Sequence, residues 1–392
     1  MTLLLKNVRP MGGPVTDILI TEGRIADIGP AQAAAETVVD GGNALVIPGL
    51  VDAHVHLDKT LWGMTWRGHQ AGPTLDDKIS TERRLRTEWD LNPGRQAEQH
   101  IALSAAMGTT SLRSHVDIDT VHGLKGLEGL LAARARYADV MDIEIVAFPQ
   151  SGLMIRPGTA ELLDQALANG ADLVGGLDPY SLDRDPKGHL DTIFALADKH
   201  TKPIDIHLHE GDELGAVTTE MIVERTLALG MEGKVAISHA FCLGMQDRRR
   251  VAGLTEKLAR ADIAIITSMP PSRPVPVADE LRSAGVRVAG ASDNVRDTWA
   301  PYGNADMLQR AMHIGQRYNW RMDADIEVAL DICTYGGAAV LGLRDYGLSK
   351  GSMADLVLVE AETVAEAVVA APVRKQVFKR GKLVAANGKA LA

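Results

Sequence analysis

The sequence predicts an α/β fold, a (β/α)8 TIM-type barrel with a small β-sandwich domain built from both chain termini. Three observations support this prediction. Eight short β-type runs alternate with longer stretches of helical spacing between residues 50 and 345, which is typical of parallel βαβ units. Residues 1–49 and 346–392 instead contain short β-type runs separated by turns. The length of 392 residues suits one barrel of about 250 residues and one small domain.

The small domain is predicted to take strands from both ends of the chain. An isolated hairpin is marginal in water, so we expect residues 1–49 and 346–392 to meet in one domain. Ala31 to Ala35 is expected to form a small-residue turn or helix. The predicted strands are Leu3 to Val8, Val15 to Ile20, Arg24 to Ile28, Leu45 to Ile47, Ser352 to Glu360, and Val373 to Ala385 with a turn at Arg380-Gly381-Lys382.

Residues 50–345 are predicted to form the barrel. Amphipathic stretches such as Gln96 to Met107 and Glu213 to Leu229 are long enough for right-handed helical crossovers. An open doubly wound sheet would normally carry a glycine-rich first turn, whereas the first turn here reads HVHLDK. The predicted barrel strands are Leu50 to His56, Thr109 to Val116, Asp142 to Phe148, Ala171 to Leu177, Pro203 to His209, Lys234 to His239, Ile263 to Ser268 and Val286 to Ala291.

Composition excludes several classes of function. The net charge is −10 and the longest basic cluster is Arg248 to Arg250, which argues against a nucleic-acid partner. Nowhere do about 18 apolar residues follow one another, so no membrane span is expected. Cys242 and Cys333 cannot form a disulfide framework for a chain of this size. We therefore expect a soluble, cytoplasmic protein with reduced thiols.

Histidines at the ends of predicted strands are the main chemical signal. The active site of a parallel barrel lies at the carboxyl ends of its strands. His54 and His56 are spaced i, i+2, which places both side chains on one face about 7 Å apart, where they could hold one cation. A pair of hydrogen-bonded core histidines is the alternative. Further candidates follow later strands: His207, His209, His239 and Asp293. Because strand interiors are normally apolar, this distribution indicates a functional site.

The segments that carry these residues resemble the amidohydrolase superfamily. They are PGLVDAHVHLDK, HLHE, ISHA and ASDN, in that order along the chain. Members of that superfamily share a distorted (β/α)8 barrel and a β-domain from both termini. FPQSG at residues 148–152 and the segment at residues 291–308 are similar to the cytosine deaminase branch.

The resemblance implies one divalent metal ion, zinc or iron(II). Its ligands would be His54, His56, His207 and Asp293, with water completing the shell. A metal of this kind lowers the pKa of bound water to roughly 7 and so supplies hydroxide at neutral pH. Binuclear relatives add a carboxylated lysine on the fourth strand, and residues 171–177 contain no lysine, so we expect a single metal.

The same resemblance implies roles for further side chains. Glu210 would move a proton to the ring nitrogen of the substrate, although a surface glutamate is the alternative. His239 would hydrogen-bond the attacking water beside Asp293, which would act as both ligand and base. Gln150 would read the amide edge of a pyrimidine, because its side chain offers donors and an acceptor.

Three positions depart from the cytosine deaminase pattern. Asn294 replaces a second aspartate, Ser292 replaces a histidine, and His209 replaces a carboxylate, so substrate selectivity could differ. His209 is expected either to touch the substrate or to fill the barrel. Trp299, Trp62 and Trp66 fall on loops at the mouth, where they could form a flat slot for a planar ring or could pack a long loop.

Most of the other histidines are expected at the surface or at caps. His115 closes the second predicted strand and is expected to lie outside the site. The remaining members of this group are His69, His100, His122, His189, His200 and His313.

The sequence therefore predicts a mononuclear amidohydrolase that deaminates an amino-substituted nitrogen heterocycle, cytosine or a close analogue. Hydrolysis of an alkylamino triazine or a cyclic amide on the same site is the alternative, and a non-catalytic metal-binding barrel is a further one. A cytidine-type zinc deaminase is excluded because the chain has no PCxxC segment. The expected partner is a small heterocyclic substrate. The resemblance also suggests a homo-oligomer.

Overall fold

A computed structural model describes residues 2–30 and 35–391. These residues form a nine-stranded mixed sheet from both chain ends and an eight-stranded parallel sheet that closes into a barrel, in agreement with the predicted fold class. Residues 31–34 of the expected small-residue turn or helix lie outside the described residues.

The strands alternate with helices throughout the barrel. The mixed sheet begins with β1 (Thr2–Pro10), β2 (Thr16–Thr21), β3 (Arg24–Ile28), β4 (Thr37–Asp40) and β5 (Leu45–Pro48). The barrel strands are β6 (Leu50–Val55), β7 (Thr109–Asp117), β8 (Asp142–Phe148), β9 (Leu173–Leu177), β10 (Ile204–His207), β11 (Val235–Ser238), β12 (Ala264–Thr267) and β13 (Val288–Gly290). The chain returns to the mixed sheet with β14 (Leu356–Val359), β15 (Arg374–Lys379), β16 (Lys382–Ala386) and β17 (Lys389–Ala390).

The helices connect successive barrel strands and then lead back to the mixed sheet. They are α1 (Leu75–Glu88), α2 (Pro93–Ala106), α3 (Lys125–Arg136), α4 (Thr159–Ala168), α5 (Pro186–His200), α6 (Asp212–Ala228), α7 (Arg248–Arg260), α8 (Ala278–Ser283), α9 (Met307–Tyr318), α10 (Asp323–Ile332), α11 (Tyr335–Leu341) and α12 (Val364–Ala370). None of the helices in the described ranges combines the length and the apolar composition needed to cross a bilayer.

The two chain ends meet through β5 and β14. These strands pair antiparallel, with Leu356 opposite Pro48 and Val359 opposite Leu45. Leu5, Ile18 and Phe378 belong to one buried apolar cluster between the paired elements. The additional strand β4 was not predicted, because its short sequence is mostly exposed and its structure depends on a parallel ladder with β1.

A buried lysine joins the mixed sheet to the barrel through ion pairs. The Lys379 ammonium, on β15, lies 2.6 Å from a carboxylate oxygen of Asp142 on β8 and 2.6 Å from one of Asp355 beside β14. The side chain of Lys379 is fully buried. The position of the mixed sheet against β8 therefore depends on a paired charge as well as on apolar packing.

The barrel closes where the first and last strands meet. β13 has only three residues, so the closing contact lies beyond its end, at a parallel bridge between Val55 and Asp293. The Asp293 N–H donates to the His54 carbonyl over 2.9 Å, and the His56 N–H donates to the Asp293 carbonyl over 3.3 Å. Backbone pairing therefore holds two strand-end histidines and a carboxylate next to one another.

Helix α1 is an addition to the regular barrel, between β6 and the crossover helix α2. It begins with a capping box, in which the Asp77 N–H donates to Thr74 Oγ1 and the Thr74 N–H donates to the Asp77 carboxylate, both over 3.1 Å. Its buried face carries Ile79, Glu82 and Arg86. These side chains reach the carboxyl ends of the barrel strands, where Arg86 donates to Asp117 of β7 over 2.9 Å.

Candidate active site

Three of the predicted metal ligands form a compact cluster of imidazoles at the carboxyl end of the barrel. The ring centroid of His54 lies 5.3 Å from that of His56 and 4.4 Å from that of His207. The fourth, Asp293, places Oδ1 3.6 Å from Nε2 of both His54 and His56. The structure therefore brings together side chains that are up to 239 positions apart in the sequence.

The nitrogen atoms of this cluster suit a divalent cation. Nε2 of His54, Nδ1 of His56 and both ring nitrogens of His207 are buried and have no hydrogen-bond partner among the described residues. Buried polar atoms are normally satisfied, so these unpartnered nitrogens, with an Asp293 oxygen 3.6 Å from Nε2 of His54, indicate a ligand site. Imidazole and carboxylate are donors that zinc and iron(II) accept.

The side chains of the cluster are in the protonation states that bind a metal ion. Burial lowers the pKa of His56 and of His207 well below the usual range, so both rings are neutral at pH 7. Burial alone would raise the pKa of Asp293, but the surrounding imidazoles, His239 foremost, outweigh it and hold that pKa well below its usual range. Neutral imidazoles and an ionised carboxylate are the forms that bind a metal.

A hydrogen-bond relay fixes the tautomer of His54. Ser238 Oγ donates to Asp205 Oδ1 over 2.7 Å, so its only hydroxyl proton is used. The contact of 2.8 Å between His54 Nδ1 and Ser238 Oγ must then have the imidazole as donor. The proton on Nδ1 leaves Nε2 as a bare lone pair directed toward Asp293. Arg113 holds Asp205 from the other side over 3.0 Å.

His115 lies inside the cluster, so the prediction that placed it outside is wrong. Its ring centroid is 4.0 Å from that of His54 and 4.6 Å from that of His207, and the residue is fully buried. The signal was present in the sequence, because Arg113, His115 and Asp117 alternate along β7 and therefore face the barrel interior together. All three contact site residues or their supports.

His239 and Asp293 share an unusual backbone conformation beside the cluster. His239 Nδ1 lies 4.0 Å from Asp293 Oδ2. Their φ angles are +71° and +62°, in the left-handed region that costs a residue with a side chain. Strain of this kind persists where the surroundings impose it, and it concentrates at functional sites. Here it turns both side chains toward each other at the strand ends.

Glu210 is held just beyond β10 by several donors. Its Oε1 accepts from the N–H groups of Tyr180 and Ser181, each over 2.8 Å, and its Oε2 accepts from Thr218 Oγ1 over 2.5 Å. The residue is buried, which argues against the surface alternative. Burial raises the pKa of Glu210, so its protonated form is more accessible than that of an ordinary glutamate.

His209 faces the site, where it could touch a substrate, which is one of the two alternatives that the sequence left open. Its ring stacks on that of His239 with centroids 4.4 Å apart. Asp178 holds it with a contact of 2.8 Å to Nδ1 and accepts its N–H over 2.6 Å. Burial would lower the pKa of His209, but Asp178 outweighs it and raises that pKa, while Lys78 acts in the opposite direction.

Gln150 lies in a buried network that the sequence analysis did not predict. Its Oε1 accepts from Lys59 Nζ over 2.6 Å, and its Nε2 donates to Glu82 over 2.7 Å and to Asp117 over 3.0 Å. Both polar atoms of the amide therefore have a protein partner. Lys59 belongs to HVHLDK, and its place after the paired histidines was the available signal. Glu82 comes from α1 and gave no sequence signal.

Asn294 and Ser292 are likewise engaged with neighbouring side chains. The Asn294 amide donates to Asp297, and Ser292 donates to the buried carboxylate of Asp52. The Ser292 N–H also donates to Asp52 over 2.9 Å. Burial raises the pKa of Asp297 to about 6. These two departures from the cytosine deaminase pattern thus support the loop around Asp293.

The three tryptophans do not form one slot. Trp299 packs in an apolar cluster with Phe148 and Ile79, and Phe148 stacks on the His207 ring with centroids 3.9 Å apart. Trp62 and Trp66 instead both contact the Arg296 guanidinium, which lies 5.1 Å and 5.2 Å from their ring centroids. Only Trp299 therefore adjoins the histidine cluster.

Two further histidines correct the expectation of surface positions. His100 and His189 are fully buried. His189 is a structural residue, because its Nδ1 contacts Asp183 at 2.6 Å and its Nε2 accepts the Leu177 N–H over 3.3 Å. Both cysteines are free and buried.

The fold and this site define a class of barrel hydrolases whose active site is a histidine and aspartate cluster suited to a divalent metal. The family model described as the amidohydrolase family matches residues 37–385. The chain therefore belongs to the amidohydrolase family. The predicted superfamily is confirmed, and so is the predicted enzyme class, a hydrolase of carbon–nitrogen bonds other than peptide bonds.

Similar proteins match over nearly the whole chain. The N-isopropylammelide isopropyl amidohydrolase of Pseudomonas sp. (strain ADP) is 31% identical over 94% of this chain and 93% of its own length. The structure of N-isopropylammelide isopropylaminohydrolase from Burkholderia multivorans ATCC 17616 is 45% identical, with a TM-score of 0.96 and full coverage of both chains. The structure of 5-methylcytosine deaminase from Klebsiella pneumoniae, liganded with 5-fluorocytosine, is 27% identical, with a TM-score of 0.85 over 98% of this chain and 97% of that one.

Proposed function

We propose that this chain is a mononuclear metal-dependent hydrolase that removes an amine from a ring carbon of an oxo-substituted nitrogen heterocycle. The first candidate substrate is an N-alkylated amino-triazine dione of the N-isopropylammelide type. The observation that carries the proposal is the clustering of His54 with His56, His207 and Asp293, in which each of the three histidines keeps an unpartnered ring nitrogen. The sequence analysis placed cytosine first, and the 45% identity to an N-isopropylammelide hydrolase over the full chain now favours the triazine.

The metal-binding residues in this proposal are the three histidines and Asp293, with zinc as the first candidate and iron(II) as the second. A divalent ion bound there would supply Lewis acidity and a nucleophilic water at neutral pH. Ser238 and Asp205 keep His54 in the tautomer that offers Nε2. The buried His115 ring packs against His54 and helps to exclude bulk solvent from the cluster.

Proton transfers are assigned to side chains around the cluster. Asp293 would accept the proton of the attacking water as its oxygen bonds to the ring carbon, and His239, 4.0 Å from Asp293, would hydrogen-bond that water. Glu210 would donate a proton to the ring nitrogen, which its raised pKa supports. The carbon–nitrogen bond to the exocyclic amine then breaks as Asp293 passes the water's proton to the leaving amine, and the new hydroxyl group returns a proton to Glu210 as it becomes the ring carbonyl.

Substrate contacts are assigned differently from the sequence expectation. Trp299 and Phe148 supply an apolar wall for a planar ring beside His207. Gln150 would position Lys59, and Asn294 would support the Asp293 loop through Asp297. His209, stacked on His239, would face the reacting edge of the ring.

Deamination of cytosine or an analogue is the second candidate. It is supported by the 27% identity to 5-methylcytosine deaminase over 98% of this chain. Cytosine carries an exocyclic amine on a ring carbon, so the same side chains could hydrolyse that carbon–nitrogen bond.

A substrate panel tests the proposal. Metal-loaded enzyme is incubated with N-isopropylammelide, cytosine, 5-methylcytosine and a cyclic amide, and released amine, ammonia and ring-opened product are quantified. We expect isopropylamine release with the highest kcat/KM. Opening of the cyclic amide without amine release would overturn the proposal, as would a metal-loaded protein that hydrolyses nothing, which would favour the non-catalytic barrel.

Glu210→Gln tests the proton-transfer assignment. We expect kcat to fall about 100-fold or more, within the usual range for a lost general acid, while the bound metal per chain stays unchanged. Glu213→Gln is the matched control, because Glu213 is an exposed carboxylate on α6, three residues after Glu210. Unchanged kcat in Glu210→Gln would remove the assignment.

A further inference from the structure

Two lysines flank the tryptophan that adjoins the histidine cluster. Lys59 Nζ lies 5.3 Å from the centroid of the Trp299 ring, and Lys78 Nζ lies 5.7 Å from it. Lys59 follows the first barrel strand, whereas Lys78 belongs to the additional helix α1. Both distances are within the range of a cation–π contact.

The charges of these two lysines are compensated very differently. The Lys59 ammonium is 3.3 Å from Glu82 and 3.7 Å from Asp117, and Lys59 is only 1% exposed. Lys78 is half-buried, and within residues 2–30 and 35–391 its ammonium has neither an ion pair nor a hydrogen bond. Lys78 therefore presents an uncompensated positive charge beside the site.

Helix α1 orients this charge toward the reaction centre. Ile79, the next residue, packs with Phe148, whose ring stacks on the candidate ligand His207. Lys78 also interacts electrostatically with His209, whose ring is 5.9 Å from that of His207. A planar ring bound against Trp299 and next to the histidine cluster would thus meet Lys78 on the side of α1.

We propose that Lys78 is a specificity-determining residue that binds the anionic imide edge of the substrate ring. The preferred substrates are then heterocycles with an acidic N–H between two ring carbonyls, such as oxo-substituted triazines, rather than neutral aminopyrimidines. This inference rests on the proposed function and names the ring chemistry that the site selects.

The chemistry of such rings explains the need for a cation. An N–H flanked by two carbonyls ionises readily, and the negative charge spreads over both oxygens. Negative charge on the ring makes its carbon a poorer electrophile, and a nearby ammonium offsets that charge while it anchors the oxygen. Cytosine has a ring carbonyl but no imide N–H, so it carries no negative charge for this ammonium to offset.

Lys78→Met tests the inference, because it keeps the length of the side chain and removes its charge. A hydrogen bond between charged groups in a partly buried site corresponds to about 10- to 100-fold in binding. We expect KM for N-isopropylammelide to rise by about that factor, with kcat changed less than about 3-fold. KM for cytosine should stay within about 2-fold, and Lys78→Arg should restore most of the binding of the triazine.

A binding measurement makes the test independent of turnover. The trione ring that remains after the amine has left carries the same imide edge, and calorimetry with metal-loaded enzyme gives its Kd directly. We expect Lys78→Met to weaken it in the same proportion. Arg84→Met is the matched control, because Arg84 lies on the same helix in an exposed pair with Glu88.

If Lys78→Met does not fold, ionic strength provides a second test on the unmodified enzyme. Raising it from about 0.05 M to about 0.5 M should weaken trione binding several-fold and leave cytosine binding unaffected.

The outcomes separate this inference from the proposed function. Wild-type enzyme that neither binds nor hydrolyses any of these heterocycles would overturn the proposed function. Wild-type activity on the triazine with equal KM and equal trione affinity in Lys78→Met would overturn the role of Lys78 alone. Equal losses for triazine and cytosine would also overturn it, because they would indicate a structural role.

Discussion

Replacement of Ser238 by alanine should weaken metal binding through His54. Ser238 accepts the Nδ1 proton of His54 over 2.8 Å and donates to Asp205 over 2.7 Å. In Ser238→Ala the buried imidazole loses the partner that selects its tautomer, and Asp205 loses one donor while it keeps Arg113. Loss of an outer hydrogen-bond partner of a ligating histidine typically costs 10- to 100-fold in metal affinity, about 1.4 to 2.7 kcal/mol.

The variant should also be less stable. A buried donor left without a partner costs about 1 to 3 kcal/mol, and a hydrogen bond to a carboxylate contributes about 1.5 to 3 kcal/mol. Since these contributions overlap, we expect a loss of about 2 to 4 kcal/mol in the free energy of unfolding of the metal-free protein, measured by urea denaturation.

The assay is competition for zinc with a chromophoric chelator, at equal protein concentrations. Thr226→Val is the control, because it removes another fully buried hydroxyl, one that bonds the Ile222 carbonyl on α6 away from the site. We expect Thr226→Val to lose stability and keep its zinc affinity. Equal zinc affinity in Ser238→Ala and the unmodified protein would refute the proposed tautomer relay.

Two further predictions concern stability. Lys379→Met should lower the free energy of unfolding by about 3 to 5 kcal/mol in urea, because two carboxylates at 2.6 Å lose a buried cation. Lys382→Met, which breaks an exposed pair with Asp139 at 3.1 Å, should cost less than about 1 kcal/mol, and equal losses in the two variants would contradict the reasoning. Removal of metal by a chelator should abolish amine release and lower the melting temperature by a few degrees, since ligand at about 1,000 times its Kd stabilises by about 4 kcal/mol. Zinc should restore both, and a melting temperature that does not respond to chelator or zinc would contradict a metal site.

The positions of the candidate ligands could be predicted because parallel strands impose them. A histidine that ends a barrel strand lies at the same end of the barrel as every other strand end, whatever its distance in sequence. The i, i+2 spacing of His54 and His56 fixed their common face. The same alternation along β7 turns His115 toward the barrel interior, and so it also accounts for the position of His115 inside the cluster.

The surroundings of the site could not be predicted in the same way. Glu82 and Lys78 come from α1, an extra helix whose direction is set by its packing on Phe148 and Leu177 rather than by a strand. The orientation of Gln150 depends on Lys59 and Glu82, which lie 91 and 68 residues away. Strand β4 formed through a parallel ladder with β1 although its own sequence is mostly exposed.

Closure of the barrel at Asp293 has a thermodynamic consequence. The peptide groups of His54, His56 and Asp293 join the first strand to the last, and their side chains face the same ion position. An ion held there would cross-link the first and last strands of the eight-stranded sheet. The closing contact of the barrel and the reaction centre would then gain rigidity together. Amide hydrogens of residues 50–56 and 288–296 should then exchange more slowly in the metal-loaded enzyme, whereas those of the mixed sheet should not.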